Sequence, residues 1–456
     1  MNKAYVVMGI QFGDEGKGKL TDWLVANNPN ATIIRFNGGA NAGHTIVYTE
    51  NNMTVKLDTH ILPSGITQPT ATNIIGCGVI FNITSFIAEY YKINKLAPSL
   101  DYTLYISGQC MTTLLCHQHM DIATNKVGTT GMGIGTTVAM GALRLCMRLH
   151  DFKKPNWRDI VRQNYESVYQ MIEFTPVKIK IYNDTYNERR EVEFNDMESM
   201  LKFEIDFIEK YMHIFMPKVC NTAILVDKLK PSTIIFEGAN AFGIDYRHGS
   251  YPCVTSTDCT IGAIMTGTGL SYTFIKQYEM EVIGIMKAYI TRVGKGELPT
   301  LDTTEWADTI REKGQEYGVT TGRSRMCGHI DLVHLRHAIK INGITHLNLT
   351  KSDILNGVEK VKICVGYLKD TRLYEPEYFT DDELANLTPV YDEMDGWDDL
   401  TQFNFIKFVA HIETILQRDN EELFIKYINT GQNRDDIEVQ KMVPIIDSSK
   451  IVFCSQ

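Results

Sequence analysis

The sequence lacks long hydrophobic runs, C-x-x-C cysteine pairs and any excess of basic residues. No apolar stretch is long enough for a membrane span, and the start of the chain does not have the pattern of a signal peptide. The ten cysteines among 456 residues are scattered. Scattered cysteines in a chain of this length are typical of reduced, buried thiols rather than of a disulfide scaffold. We therefore expect a cytoplasmic protein that does not bind membranes.

The charge balance excludes one class of partner. Lysine and arginine number 45 against 55 aspartates and glutamates, so the net charge is −10. Binding to a nucleic-acid backbone needs a basic surface, and we expect no nucleic-acid partner. The bulk charge does not bear on mononucleotides. Hydrophobic residues at 44% and charged residues at 22% are ordinary for a globular protein.

Seven short apolar runs, rich in β-branched residues, recur after the first one at Tyr5–Gly9. Runs of this length and composition suit strands that are buried on both faces, which is typical of parallel sheets covered by helices. We predict an α/β fold with a central, mostly parallel sheet flanked by helices. The runs lie at 32–36, 73–79, 102–106, 233–236, 282–286, 346–349 and 423–428.

One region departs from this pattern. Residues 177–182 and 189–194 alternate as a hairpin would, and an acidic, apolar helix pattern follows at 197–211. We interpret residues 151–230 as a polar excursion within a single domain that spans residues 1–456. The acidic runs at 380–383 and 392–399 predict solvated surface.

The stretch from Tyr5 to Lys19 is the strongest functional signal. A strand-length run ends at a glycine, and a loop with three further glycines, Gly13, Gly16 and Gly18, leads into a helix pattern. Such a loop can cradle phosphates through its backbone N–H groups, the helix N-terminus and lysine charge. It is a modified phosphate loop, because the common P-loop of NTPases has a hydroxyl residue where Gly18 stands. An acid beside a polyphosphate, Asp14, is a candidate for holding a metal or for taking a proton.

Further polar motifs follow strands at Phe36, Phe236, Leu349 and Ile428. Ligands of open α/β sheets bind at the carboxyl ends of strands, so these segments can converge on one site. Within them, the arginines of 323–325 suit a dicarboxylate, because guanidinium groups bind carboxylates bidentately. The carboxylate of Asp353 can accept hydrogen bonds from guanine N1–H and N2–H₂ together, which selects GTP over ATP.

The loop Gly13-Asp14-Glu15-Gly16-Lys17-Gly18-Lys19 resembles the signature loop of adenylosuccinate synthetases. Later motifs follow in the family's order, so the resemblance covers nearly the whole chain from Val6 to Arg434. It implies a P-loop-NTPase-like fold, GTP as co-substrate, a homodimer and Mg²⁺ held by Asp14 and the Gly43 carbonyl. It also implies catalytic roles for Asp14, Lys17 and His44.

The resemblance further implies three groups of binding residues. For GTP these are Gly13, Glu15, Gly16, Lys17, Gly18, Lys19, Gly43, His44, Thr45, Arg325, Lys351, Asp353, Asn429 and Gly431. For IMP they are Asp14, Asn41, Thr130, Asn240, Thr255, Arg323 and, from across a dimer interface, Arg144. For L-aspartate they are Thr320, Thr321 and Arg323.

The implied reaction converts GTP, IMP and L-aspartate into adenylosuccinate, GDP and phosphate through a 6-phosphoryl intermediate. Some residues depart from the family pattern. Met132 stands where arginine is usual, Asn240 where glutamine is usual, and Asn429 and Gln432 replace serine and proline. Met132 and Asn240 leave open the same chemistry on another 6-oxopurine nucleotide, such as dGMP in a 2-aminoadenine pathway. A guanine-nucleotide switch without ligase activity is an alternative of another class, but it would not need the aspartate-type loop.

Overall fold

The computed structural model describes residues 2–50, 53–98, 100–124, 128–183, 188–318 and 322–440. They form an α/β fold with one large sheet and several small ones. The strands are β1 Lys3–Gly9, β2 Thr32–Arg35, β3 His44–Glu50, β4 Met53–Thr59, β5 Thr72–Ile75, β6 Phe81–Asn82, β7 Thr103–Ser107, β8 Thr112–Thr113, β9 Val177–Asn183, β10 Glu188–Phe194, β11 Val219–Cys220, β12 Thr233–Glu237, β13 Glu279–Lys287, β14 Tyr289–Arg292, β15 Met326–Asp331, β16 His346–Thr350, β17 Lys360–Lys369, β18 Arg372–Tyr374, β19 Thr388–Asp395, β20 Phe424–Asn429 and β21 Ile437–Val439. The α-helices are α1 Lys17–Ala26, α2 Ile83–Leu96, α3 Leu115–Ala123, α4 Ile134–Ala142, α5 Trp157–Tyr169, α6 Met197–Phe215, α7 Thr222–Leu229, α8 Ala263–Thr268, α9 Tyr272–Ile275, α10 Glu305–Gly314, α11 Leu332–Asn342, α12 Asp381–Leu384 and α13 Phe403–Leu416.

The large sheet has ten strands in the order β11-β7-β5-β2-β12-β1-β13-β16-β20-β21. Every neighbouring pair is parallel except β20 and β21, which are antiparallel. The mostly parallel sheet is therefore confirmed, and each of the eight apolar runs contributes a strand to it. Because the strands are parallel, the segments that follow β1, β2, β12, β16 and β20 all leave the same edge.

Both faces of the central strands are buried, as expected from their continuous apolar runs. On one face, Val7 packs with Leu20 and Leu24 of α1. On the other face, Val6 packs in the same cluster as Leu335 and Ala338 of α11. Alternate residues of one strand thus meet helices on opposite sides, which is the layered arrangement of parallel α/β sheets.

A second, five-stranded sheet was not predicted. It runs β14-β15-β17-β18, with β19 also paired to β17. The acidic run at 392–399, expected to be solvated surface, ends β19, and Trp397 within it is only 2% exposed. The acidic side chains of Glu393, Asp395, Asp398 and Asp399 are exposed, as expected. The pairing of residues 392–395 with β17 was not predicted, because a strand with acidic residues on its exposed face resembles an acidic loop in sequence.

The excursion between 151 and 230 contains the predicted hairpin, with β9 and β10 antiparallel and Val177 opposite Phe194. Its apolar side chains, including Ile179 and Leu201, share a core cluster with Phe86 of α2. The two-residue strand β11 lies within this region and pairs with β7 at the edge of the large sheet, which the sequence pattern did not reveal. Among the described helices, none combines the length and apolar character needed to cross a membrane.

Candidate active site

The loop between β1 and α1 is braced from inside by Glu15. Its fully buried carboxylate accepts hydrogen bonds from the backbone N–H groups of Gln11 (3.3 Å) and Gly13 (2.7 Å) and pairs with Lys17 Nζ at 2.7 Å. Gly9 makes room for it, since a Cβ there would lie 2.4 Å from a Glu15 oxygen. Glu15, predicted as a GTP-binding residue, is thus turned into the loop, where it fixes the loop's shape.

Asp14 projects from this loop with a left-handed backbone, φ 59°. For a residue other than glycine this conformation costs roughly 1 kcal/mol, which the surrounding loop must offset. The Asp14 side chain is 28% exposed, and its Oδ2 pairs with Arg325 Nη2 at 2.6 Å. The predicted proton acceptor therefore lies beside a guanidinium group from the predicted GTP and aspartate region.

His44, at the start of β3, is oriented by a buried carboxylate. Its Nδ1 lies 2.5 Å from Glu237 Oε1 at the end of β12, and Ser64 donates to Glu237 through its hydroxyl (2.5 Å) and its backbone N–H (2.9 Å). Within the described residues, His44 Nε2 is buried and has no hydrogen-bond partner. Nδ1–H therefore donates to Glu237, and Nε2 is left for a ligand.

The electrostatics of this pair follow from burial and from Arg35. Burial first, and then the neighbouring Arg35 guanidinium, lower the pKa of His44 to about 4. Burial alone would raise the pKa of Glu237, but His44, Arg35 and Ser64 lower it to about 2. The imidazole is thus neutral near pH 7, and an anionic ligand at Nε2 would favour its protonation.

A cavity of about 480 Å³ opens between the phosphate loop and the segments after β2, β12 and β14. It brings together ten of the residues predicted from sequence: Gly13, Asp14, Lys17, Asn41, Gly43, His44, Thr130, Asn240, Thr255 and Arg323. The turn Val293-Gly294-Lys295 also lines it, as does Gly318. Of the five strand-end segments expected to converge on one site, those after β1, β2 and β12 line this cavity, and the described residues after β16 and β20 do not.

The acceptor side of the cavity is built by short polar contacts. Asn240, whose φ is 59°, donates from Nδ2 to Thr255 Oγ1 at 3.2 Å. The carboxylate of Asp121 accepts from Thr129 Oγ1 at 2.7 Å and from the Gly133 backbone N–H at 3.0 Å. Each contact braces one of the two loops predicted to bind the acceptor nucleotide, and both loops line the same cavity.

The predicted guanine pocket lies outside this cavity but is joined to the phosphate loop by Lys19. Lys19 Nζ donates to the carbonyl oxygens of Gly431 (2.8 Å) and Asp436 (2.7 Å), from the segment after β20. Burial lowers the pKa of Lys19 to about 8, with Asp436 and Asp353 opposing the shift. Burial raises the pKa of Asp353, because burial disfavours the charged carboxylate.

Two further residues predicted to bind GTP lie elsewhere. Asn429 is buried at the end of β20. Thr45 donates a hydrogen bond to Asp58 at 2.8 Å and does not line the cavity.

Arg144 does not line the cavity of its own chain. It is exposed, has a φ of 67°, and stands between the exposed Leu143 (54%) and Leu145 (38%) just after α4. Thr320 and Thr321, predicted to bind aspartate, lie outside the described residues.

Three polar residues around the site were missed by the sequence reasoning. Glu237 was part of a recognised motif, but its contact with His44 spans 193 positions. Arg35 is fully buried and interacts electrostatically with Glu237 and Glu89. Glu316 interacts with three cations, Lys287, Lys351 and Arg325. Charged residues at the ends of otherwise apolar runs, such as Arg35 and Glu237, were the available signal.

The residues present fit a magnesium ion bound largely through a nucleotide. Among the described residues, no group of three His, Cys, Asp or Glu side chains could hold a metal alone. The Asp14 carboxylate and Gly43 nevertheless line the same cavity. Mg²⁺ prefers oxygen ligands and is usually held by one or two protein groups together with phosphates and water, so this sparse donor set suits it.

Comparison with known proteins agrees with this geometry. The family model for adenylosuccinate synthetase matches residues 6–438. The adenylosuccinate synthetase of Thermodesulfovibrio yellowstonii is 35% identical over 445 residues, 96% of this chain and 98% of that protein. The enzyme of Halothermothrix orenii is 36% identical over 402 residues, 86% of this chain and 87% of that protein.

Two solved structures share the fold. The fully ligated adenylosuccinate synthetase of Plasmodium falciparum superposes with a TM-score of 0.81 at 29% identity, covering 97% of this chain and 100% of that one. The succinoaminodeoxyadenylate synthetase of cyanophage S-2L, bound to dGMP and dATP, has a TM-score of 0.60 at 18% identity. The match covers 97% of this chain and 96% of that one, and it shows the fold alone.

The chain is therefore a GTP-dependent ligase of purine nucleotide biosynthesis. It belongs to the adenylosuccinate synthetase family, whose reaction joins L-aspartate to IMP.

Proposed function

We propose that this site joins L-aspartate to C6 of IMP in two steps, with Asp14, Lys17 and His44 as its catalytic residues. The single observation that carries the proposal is that these three side chains line one cavity with the acceptor-side residues Asn240 and Thr255. The carbonyl oxygen at C6 of a purine is a poor leaving group, and phosphorylation turns it into a good one.

In the first step, the Asp14 carboxylate takes the N1 proton of IMP, so that O6 attacks the γ-phosphorus of GTP and GDP leaves. Lys17 Nζ and His44 Nε2 face the developing charge on the phosphoryl oxygens. Phosphoryl transfer is accelerated mainly by such positioned charge and hydrogen-bond donors. Glu237 supports the proposal, because its hydrogen bond fixes Nδ1 and directs Nε2 away from itself.

Asp14 and the Gly43 carbonyl would hold Mg²⁺, which supplies positive charge to the β- and γ-phosphates when bound. Both residues line the same cavity as Lys17 and His44. The remaining residues of the phosphate loop, Gly16 and Gly18, offer backbone N–H groups near the N-terminus of α1, where anions are favoured.

In the second step, the aspartate amine attacks C6, the C6–O bond breaks so that phosphate leaves with the former O6, and the amine nitrogen releases a proton. Arg323 lines the cavity and suits a carboxylate of aspartate, and we assign Thr320 and Thr321 to the same subsite from the family motif. Thr130 and Thr255 are proposed to bind the 5′-phosphate of IMP, together with Asn41 and Asn240 around the base and its O6.

GTP is selected by Asp353, with Lys351 packing on the base plane. Lys19 supports this assignment, because it joins the phosphate loop to the Gly431 segment and lies in the field of Asp353. Asn429, Thr45 and Arg325 complete the proposed GTP contacts. IMP is favoured over dGMP as acceptor, since the curated relatives that match most of the chain at 35–36% identity are adenylosuccinate synthetases.

We further propose a homodimer in which Arg144 completes the partner's IMP site. Its exposure between Leu143 and Leu145, away from its own cavity, supports a role across an interface. We retain one domain over residues 1–456, since the excursion packs on α2. A reducing, cytoplasmic compartment is proposed because the nine described cysteines are free thiols.

Substitution of Asp14 by asparagine tests the proposed chemistry. Asparagine keeps the size of the side chain but cannot take the N1 proton, so turnover should fall by at least about a thousandfold. The dissociation constant for GDP, measured by isothermal titration, should change by less than about fivefold. Turnover within tenfold of the parent enzyme would overturn the assignment of Asp14.

A further inference from the structure

Glu316, just after α10, joins two parts of the site that are distant in sequence. Its carboxylate accepts from Lys351 Nζ at 2.8 Å and from Arg325 Nη1 at 2.5 Å. Lys351 belongs to the proposed guanine pocket, and the other arm of Arg325 reaches Asp14 at 2.6 Å. One carboxylate therefore lies at the centre of a continuous chain of ion pairs from the guanine pocket to the proposed proton acceptor.

Glu316 is buried among cations. Its side chain is fully buried, Lys287 Nζ lies 3.3 Å away, and the Tyr289 hydroxyl donates to it at 2.5 Å. Burial alone would raise the pKa of Glu316, but Lys287, Lys351 and Arg325 hold it well below its usual range. Three cations against the carboxylates of Glu316 and Asp14 leave this cluster with a net charge of +1.

We propose that Glu316 is a positioning residue that couples occupation of the guanine pocket to the placement of Asp14, acting through Lys351 and Arg325. The inference rests on the proposed roles of Asp14 and Lys351. Glu316 touches neither substrate nor reacting atoms. It restrains Lys351 and shares Arg325 with Asp14.

The geometry makes this coupling direct. Lys351 has a left-handed backbone, φ 58°, and its Nζ is fixed by two acceptors, the Gly314 carbonyl oxygen at 2.6 Å and Glu316. A guanine base that packs on the Lys351 stem contacts a side chain whose Nζ is held by these two acceptors. Any movement of the Glu316 carboxylate changes the hydrogen bonds that Arg325 makes with Glu316 and Asp14, because hydrogen bonds between charged groups are strong and directional.

Glu316→Gln removes the charge and keeps the shape. Lys351 then loses its ionic anchor, and Arg325 has Asp14 as its one remaining carboxylate within the cluster. We expect the KM for GTP to rise and kcat to fall, each by at least about tenfold, since hydrogen bonds to charged groups contribute about 1.5–3 kcal/mol. The KM for ITP, which lacks the 2-amino group, should rise by the same factor, because the Lys351 stem meets the base plane and not its edge.

Two matched variants separate positioning from folding. Tyr289→Phe removes a neutral contact to the same carboxylate and should change kcat and the KM for GTP by less than about threefold. A buried charge without its partner is destabilising, so Glu316→Gln alone could unfold the chain. The double variant Lys287→Met with Glu316→Gln keeps the cluster at +1 and should fold, yet show the same losses in kcat and in the KM for GTP.

The test is to measure kcat, the KM for GTP and Tm for each variant on the same preparations. Unchanged kcat and KM in both Glu316→Gln backgrounds, with only a lower Tm, would overturn the proposal and make Glu316 purely structural. Asp353→Asn, run in parallel, should narrow the preference for GTP over ITP. If it does not, the guanine-pocket assignment itself is wrong and the coupling falls with it. If Asp353→Asn narrows the preference as expected and Glu316→Gln leaves kcat and KM unchanged, only the proposed coupling is refuted.

Discussion

Replacing Glu237 by glutamine tests the contact that directs the imidazole of His44. The carboxylate lies 2.5 Å from His44 Nδ1 and receives two further hydrogen bonds from Ser64. Glutamine keeps the size of the side chain but removes the negative charge. Its NH₂ group can also face Nδ1 and favour the tautomer that carries its proton on Nε2. The imidazole then loses both its fixed orientation and the charge that stabilises its protonated form.

The size of the effect follows from the kind of bond that is lost. A buried hydrogen bond to a charged group contributes about 1.5–3 kcal/mol, which corresponds to a fall in kcat of about 10- to 150-fold. Removal of the charge should matter chiefly while charge develops on the transferring phosphoryl group, so the KM for GTP should change by less than about threefold. The phosphate loop, braced by Glu15, is left intact.

The assay is GTP-dependent phosphate release in the presence of IMP and aspartate, with Tm measured on the same preparations. Ser64→Ala is the matched control, because it removes one hydroxyl from the same carboxylate and leaves the charge. It should lower kcat by less than about tenfold. A Glu237→Gln enzyme with a parental Tm and a kcat within threefold of the parent would refute the role assigned to Glu237 and His44.

Three further predictions concern specificity, assembly and pH. Asp353→Asn should raise the KM for GTP and improve the use of xanthosine triphosphate, whose 2-oxo group accepts a hydrogen bond; steady-state kinetics with both nucleotides checks this, and an unchanged ratio would place the guanine pocket elsewhere. Inactive Arg144→Leu and Asp14→Asn proteins, mixed and re-equilibrated, should recover about a quarter of parental activity, because about half of the random dimers are hybrids with one intact site; no recovery despite subunit exchange seen by native mass spectrometry would contradict the trans role. Burial raises the pKa of Glu204 from 4.5 to about 8, so the folded state binds this proton more tightly and the group's stabilisation is lost as pH rises between these values, by up to about 1.4 kcal/mol per unit. The Tm advantage of the parent over Glu204→Gln should therefore shrink between about pH 5 and pH 8 in thermal scans, and a constant difference would show that Glu204 titrates normally.

The large sheet and the convergence of motifs could be predicted from sequence, because a buried parallel strand is encoded by a short, continuous run of apolar residues. The strand Thr32–Arg35 is buried on both faces, with Ile33 and Ile34 as its apolar centre, and its glycine-rich continuation marks the sheet edge. The segments after Ile10, Phe36 and Phe236 do line one cavity.

The partners of the site residues could not be predicted in the same way. Glu237 meets His44 across 193 positions, and Glu316 meets Lys351 across 35. Nothing local in the sequence distinguishes a glutamate that orients a catalytic group from one that faces solvent. The second sheet was missed for a related reason: β19 is half exposed, and its pairing with β17 leaves an acidic face that resembles a loop.

Transfer of oxygen from IMP to phosphate tests the central claim most directly. The enzyme is incubated with GTP, Mg²⁺, L-aspartate and IMP that carries ¹⁸O at C6, with dGMP in a parallel reaction, and products are identified by mass spectrometry. The account predicts adenylosuccinate from IMP and ¹⁸O in the released phosphate, because O6 attacks the γ-phosphorus and leaves with it. Phosphate free of ¹⁸O, or a product from dGMP and none from IMP, would contradict it.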